Sequence, residues 1–209
     1  MPDGVLQVGL TGGIATGKSY VTQRLAAAGL PTIDADTLAR EAVAPGSPGL
    51  DAVVARFGRE VLSDTGALDR RRLGAIVFAD AAARADLEAI VHPDVRRRIA
   101  DWQARLAADG YRGPAVADIP LLFETGRAGA FDVVVVVACD PARQRERLIA
   151  RDGLSPGTAD ERIAAQWPIA RKVAAADYVI RTDGTFADTD AQVDRLVVQL
   201  RARAADAST

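Results

Sequence analysis

Apolar residues recur along the chain in two rhythms, one of short runs and one of helical spacing. Val5 to Leu10 is a short apolar run that stops at Thr11-Gly12-Gly13, and Tyr20 to Ala28 then carries apolar residues at helical spacing until Gly29. The pattern predicts strand, glycine loop, helix. Leu30 to Ile33 predicts a second short strand, and Gly49 to Phe57, Asp69 to Phe78 and Asp80 to Ala107 predict helices separated by glycine and polar turns. Ala115 to Ile119 and Val133 to Cys139 are apolar runs without alternation, as expected of strands covered on both faces in a parallel sheet. Pro141 to Ala150 predicts a helix with Asp140 as its N-cap, and Asp152 to Gly157 a break with the composition of a hinge. Thr158 to Trp167 predicts a further helix, Tyr178 to Ile180 a brief strand, and Asp188 to Ala204 a closing helix followed by a fraying tail, Ala205 to Thr209. The order is that of an α/β protein with a mostly parallel five-stranded sheet, helices on both faces and an inserted helical block.

Composition narrows the class of function. The 209 residues carry 49% hydrophobic and 26% charged side chains, enough to bury one core and unlike a disordered chain. The formal charge of −2 gives no global basic field, so nucleic acid is not expected as a partner. The single cysteine, Cys139, closes no intrachain disulfide and offers no metal-ligand spacing, which suits a reducing cytoplasm. Met1-Pro2-Asp3-Gly4 lacks a basic leader, and no apolar run approaches the roughly 20 residues of a membrane span, so neither secretion nor a membrane is expected. Only Lys18 and Lys172 are lysines among 26 basic residues. An arginine-preferring composition leaves the position of Lys172 to chance.

Chemistry concentrates at Gly12-Gly13-Ile14-Ala15-Thr16-Gly17-Lys18-Ser19, which fits G-x-x-x-x-G-K-[ST] between a predicted strand and a predicted helix. The glycines allow a tight turn, so that amides from roughly Ala15 to Tyr20 converge on phosphate oxygens at a positive helix terminus. Lys18 reaches the β- and γ-phosphates, and the Ser19 hydroxyl suits Mg²⁺. Neither lysine lies in an Asn-Lys-x-Asp sequence, which weighs against a guanine-reading switch.

Asp34 ends the second predicted strand, where ligands gather in open sheets, and is a candidate for orienting or deprotonating an acceptor hydroxyl; a capping or turn role is the alternative. Asp36 reads equally as a cap for the following helix. Asp118, at the end of the third strand, is either a carboxylate that holds Mg²⁺ or its waters, or a turn aspartate. His92, the sole histidine, precedes Pro93 in a long helical stretch and suits a structural role. Arg143, Arg147 and Arg151 share one predicted helix face, either a solvated stripe or the phosphate-facing edge of a mobile lid. Trp167 reads as packing.

The chain resembles the dephospho-CoA kinase family over nearly its whole length. The resemblance rests on Leu10 to Ser19, Ile33 to Asp36, Leu62 to Arg70, His92-Pro93 and Asp118-Ile119-Pro120-Leu121-Leu122-Phe123-Glu124, and extends through Arg147 to Gly153 and Ala176 to Ile180. It implies a P-loop kinase fold with a nucleotide-binding core (1–40, 111–140 and 175–209), a helical substrate-binding block (41–110) and a lid region (141–174). It implies ATP and dephospho-CoA as partners, Mg²⁺ as cofactor, and transfer of phosphate to a ribose 3′-hydroxyl in the last step of coenzyme A biosynthesis. Asp34 becomes the expected base, with Lys18 and Arg147 as charge stabilisers. Gly13, Ala15, Thr16, Gly17, Lys18, Ser19 and Tyr20 are expected to hold the nucleotide, with Ser19 on the metal. Asp34, His92, Asp118 and Leu121 are expected near the acceptor. A monomer is expected. The runner-up readings are another small-molecule P-loop kinase, of the nucleoside monophosphate type, and a non-catalytic ATP-sensing module. Three departures stand out: Ala15 where glycine is frequent, Tyr20 where a small hydroxyl residue is common, and Arg181-Thr182 in place of Asp-Asn.

Overall fold

The computed structural model describes residues 4–206; the leader expectation at Met1–Asp3 and the fraying expectation at Ala207–Thr209 lie outside them. Five strands, β1 (Leu6–Gly12), β2 (Thr32–Asp34), β3 (Pro114–Asp118), β4 (Val133–Ala138) and β5 (Tyr178–Arg181), form one sheet in the order β2-β3-β1-β4-β5. Every pairing is parallel. All six residues of β4 and all five of β3 are buried, which is why their sequences run without alternation. β3 and β4 flank β1 on opposite sides, so the chain leaving β1 emerges where the strand order reverses, the crevice that open α/β sheets use for ligands.

Nine α-helices surround or interrupt this order among the described residues: α1 (Lys18–Ala27), α2 (Ala35–Ala42), α3 (Pro48–Phe57), α4 (Arg70–Ala79), α5 (Ala81–Ala108), α6 (Pro141–Asp152), α7 (Pro156–Ala164), α8 (Ile169–Ala174) and α9 (Phe186–Asp206). Two compact units result. The first contains the sheet and comprises the chain up to Asp34 and from Gln103 onward. Its core joins Leu6, Val8 and Leu10 of β1 and Val133, Val135 and Val137 of β4 to Val21 and Leu25 of α1 and Val193, Leu196 and Leu200 of α9. The second, Ala35–Trp102, is helical and packs Val53 and Phe57 of α3 with Val61, Leu73 and Ala83. Residues 35–40 thus cluster with the helical unit, and 141–174 with the sheet.

Local chemistry sets the boundaries. Asp140 caps α6 by accepting the Ala142 amide at 2.9 Å, with Pro141 supplying a preset φ at the first position. Ser155 and Pro156 start α7 in the same manner, so the interruption after α6 is only Gly153 to Ser155, shorter than the break expected from 152 to 157. The helix expected over Thr158–Trp167 is α7, which starts at Pro156 and ends at Ala164, and α8 beyond it is a helix that the apolar pattern does not predict. Pro168 disfavours helical geometry at the residue before it, and six-residue α8 is too short to show a period. Ala205 and Asp206 continue α9 rather than fraying. α5 runs through Pro93, which removes the amide that the Ala89 carbonyl would otherwise use.

Candidate active site

The glycine loop between β1 and α1 is held by contacts that its own spacing does not reveal. Gly17 adopts φ +88° at the N-cap of α1, a conformation that glycine takes without a Cβ clash. Ala15 sits at φ +58°, the only non-glycine residue with positive φ among those described, so the departure from glycine there stores backbone strain at the loop apex. Thr16 is fully buried; its hydroxyl donates to the Gly13 carbonyl at 2.8 Å, and its own carbonyl accepts the Thr182 hydroxyl at 2.6 Å. The Ile14 amide donates to Gln166 Oε1 and the Ile14 carbonyl accepts from Gln144 Nε2, both at 2.8 Å. A Cβ on Gly13 would lie 2.6 Å from that Gln144 nitrogen, so a side chain there would displace the Gln144 amide from its place.

Lys18 opens α1 and pairs with Asp118 at the carboxyl end of β3. The other Asp118 oxygen accepts the Thr22 hydroxyl at 2.7 Å. Asp118 is therefore a buried strand residue that neutralises the loop lysine, not a turn aspartate. Asp34 is its register partner on β2, which puts two carboxylates at the ends of adjacent strands, Asp118 buried and Asp34 exposed. Asp36 lies in the first turn of α2. The Ser19 hydroxyl belongs to an exposed residue in the first turn of α1.

Beyond α1 the first unit encloses a cavity of about 530 Å³ lined by Gly17, Tyr20, Arg147, Thr182 and Phe186. Tyr20 donates its phenol proton to Asp190 at 2.7 Å, which pushes the phenol pKa up, and its ring lies 4.7 Å from that of Phe186. Phe186 is 72% exposed, an aromatic wall that no spacing rule singled out. Arg147 donates to the Thr182 hydroxyl at 3.0 Å and carbonyl at 2.7 Å, and Arg143 to the Asp183 carbonyl. Arg151 pairs with Asp152, so the third arginine of the predicted stripe is engaged elsewhere.

After β3 the chain turns through Pro120, whose carbonyl accepts the Thr11 hydroxyl at 3.0 Å, and leaves Leu121 40% exposed. Phe123 stacks on Trp167 at 5.6 Å, and the Arg171 guanidinium lies 3.3 Å over the Trp167 ring, which makes that tryptophan a packing residue as its type suggests. Lys172 overturns the expectation of a chance position. It is wholly buried, pairs with Glu124 at 2.8 Å and donates to the Gly12 carbonyl at 3.1 Å. His92 belongs to the helical unit, where it lines a cavity of about 280 Å³ with Arg70, Leu73, Val77, Glu88 and Val91.

Among the described residues no group of three or more His, Cys, Asp or Glu could hold a metal ion. The donors at the loop are the Ser19 hydroxyl and carboxylate oxygens, hard ligands too few for a resident cage but suited to a Mg²⁺ that arrives on a triphosphate and keeps waters.

A glycine loop capping a helix at the reversal point of a parallel sheet, with its lysine paired to a strand-end carboxylate, defines the P-loop kinase class. The comparisons with known proteins agree and go further. A model of the family described as dephospho-CoA kinase matches residues 6–188. The chain is 51% identical over 194 residues to a dephospho-CoA kinase of Anaeromyxobacter dehalogenans, covering 93% of this chain and 92% of the relative. It superposes on a dephospho-CoA kinase from Campylobacter jejuni with a TM-score of 0.72 at 26% identity, covering 95% and 98% of the two chains. A solved protein from Thermus thermophilus, TT1252, gives a TM-score of 0.79 at 33% identity, covering 93% and 97%. The chain belongs to the dephospho-CoA kinase family.

Proposed function

We propose that the chain transfers the γ-phosphoryl group of ATP to the ribose 3′-hydroxyl of dephospho-CoA, releasing ADP and CoA. The observation that carries this reading is the pairing of strand ends: exposed Asp34 beside the buried Asp118 that holds Lys18. Asp34 accepts the hydroxyl proton as the sugar oxygen forms its bond to the γ-phosphorus and the bond from that phosphorus to the bridging oxygen breaks. The amides of Ala15 to Tyr20 cradle the triphosphate, with Gly13 at the start of the cradle. Lys18 moves from Asp118 to the β- and γ-oxygens, and Arg147 faces the charge that develops during transfer. Ser19 would hold Mg²⁺, which when bound neutralises the phosphate oxygens. Tyr20, Thr182 and Phe186 wall the cavity beside the loop, and the aromatic surface of Tyr20 and Phe186 suits the adenine base.

Asp118 and Leu121 are assigned to acceptor recognition in the first unit, and His92 with the cavity that it lines is the helical unit's own candidate for the same task. The lid lies within residues 141–174: α7 moves about Gly153 to Ser155, while Gln144, Gln166 and Lys172 stay on the glycine loop. Among the described residues no helix is long and apolar enough to cross a membrane. The reading places the enzyme in the cytoplasm as a monomer.

A coupled assay of ADP formation tests it. With MgATP and an acceptor panel, dephospho-CoA gives the highest turnover; a nucleoside monophosphate preferred over it would reassign the substrate, and ADP bound without turnover would indicate a sensing module.

A further inference from the structure

The phosphoryl-transfer reading leaves unused one strongly placed group, the only fully buried lysine. Burying an ammonium is costly unless it is paired and hydrogen-bonded, and swapping a buried ion pair for apolar side chains is often neutral or stabilising. Such a pair is therefore weak evidence for stability and calls for another reason. Lys172 has two partners, Glu124 Oε1 at 2.8 Å and the Gly12 carbonyl at 3.1 Å. The same Glu124 oxygen accepts the Trp167 amide at 2.9 Å. Gly12 is the last residue of β1 and the first of the glycine loop. Two residues on, Ile14 is gripped through its amide by Gln166 and through its carbonyl by Gln144. The entrance of the loop thus has its backbone fixed by side chains from the segment 144–172, and only Lys172 among them brings a charge.

We propose that Lys172 is a positioning residue of the phosphate loop: its ammonium fixes the Gly12 carbonyl, so that the amides following it hold the triphosphate-binding curve before ATP arrives, and Glu124 serves to keep that ammonium charged and aimed. The proposal rests on the reading that the loop binds ATP, but not on the identity of the acceptor. Lys172 touches neither nucleotide nor acceptor in this scheme. Preorganisation lowers the ordering cost of binding, so its loss falls on affinity for ATP and spares the acceptor.

The test compares the full-length protein with Lys172→Met and with Lys172→Met/Glu124→Gln, reading ATP affinity by calorimetry, the KM for dephospho-CoA, and Tm. Lys172→Met should lower Tm, because the largely covered Glu124 carboxylate is left without its cation, and should weaken ATP binding about tenfold, the worth of one charge-assisted hydrogen bond. The double variant should recover most of the Tm while ATP affinity stays about tenfold weak and the KM for dephospho-CoA stays within twofold. ATP affinity within twofold of the parent in either folded variant, or recovered together with Tm in the double variant, overturns the proposal. So does a double variant that does not fold, which would make the pair a requirement of folding. Calorimetry needs no acceptor, so a parent protein that binds ATP without phosphorylating dephospho-CoA refutes the substrate reading and leaves this comparison intact.

Discussion

The two compact units hold their candidate ligand-binding surfaces by different means. In the sheet-bearing unit the loop is tied down group by group: Thr182 to Thr16, Gln144 and Gln166 to Ile14, Lys172 to Gly12, and Lys18 to Asp118. In the helical unit the cavity is largely a matter of shape, its wall formed by Ala39, Val43, Leu68, Leu73, Val77, Leu87 and Val91 with few polar groups. Phosphoryl transfer rewards fixed dipoles and charges aimed where charge develops, whereas an extended acceptor is held by area. The contrast predicts that substitutions at the glycine loop and the groups facing it strike turnover or ATP affinity, and those lining the helical unit's cavity strike affinity for the acceptor.

Asp34→Asn breaks the comparison most sharply. It should cut kcat by about two to four decades, the usual range for a positioned general base, with ATP affinity within a few-fold. Near-normal turnover would remove Asp34 from the chemistry. Arg147→Ala should lower kcat by about ten- to a hundredfold with less change in KM for ATP, since its guanidinium is proposed to act on developing charge. Equal kinetics in variant and parent would return it to a purely structural link with Thr182. In the helical unit, Val91→Trp projects bulk into the cavity and should raise the KM for dephospho-CoA about tenfold while ATP affinity moves less than twofold. An unchanged KM would exclude that cavity from acceptor binding.

How far these roles could be read in the chain depended on whether their signal was local. The glycine loop, Lys18 and Ser19 are legible because phosphate geometry demands fixed residues at fixed short spacing. Asp34 and Asp118 are legible because each ends a strand, but only the β2–β3 register shows them side by side, and only the structure shows Asp118 already engaged by Lys18. Lys172 was illegible: its partners Gly12 and Glu124 are distant in sequence, and its helix α8 is too short for a periodic signal. Phe186 was missed for a related reason, since an exposed aromatic at a helix start has no pattern until Tyr20 lies against it.

Smaller effects sharpen the same contrast. Ala15 already occupies positive φ, so Ala15→Gly should change stability by less than about 1 kcal/mol, while Ala15→Val should cost about 1–3 kcal/mol in denaturant melts, because a β-branched side chain tolerates that geometry least. Equal melts for the two variants would argue against strain at the apex. The Cys139 thiol is wholly buried and desolvation pushes its pKa up, so it should react with a thiol reagent only as fast as the protein unfolds. Rapid labelling of the native protein would show β4 to be open at its end.

The most direct test follows the phosphorus. With ATP labelled at the γ-position, Mg²⁺ and dephospho-CoA, the label should transfer stoichiometrically to the ribose 3′-oxygen, with ADP as the other product and negligible free phosphate. Label recovered as inorganic phosphate, or on any other position of the acceptor, would contradict the account.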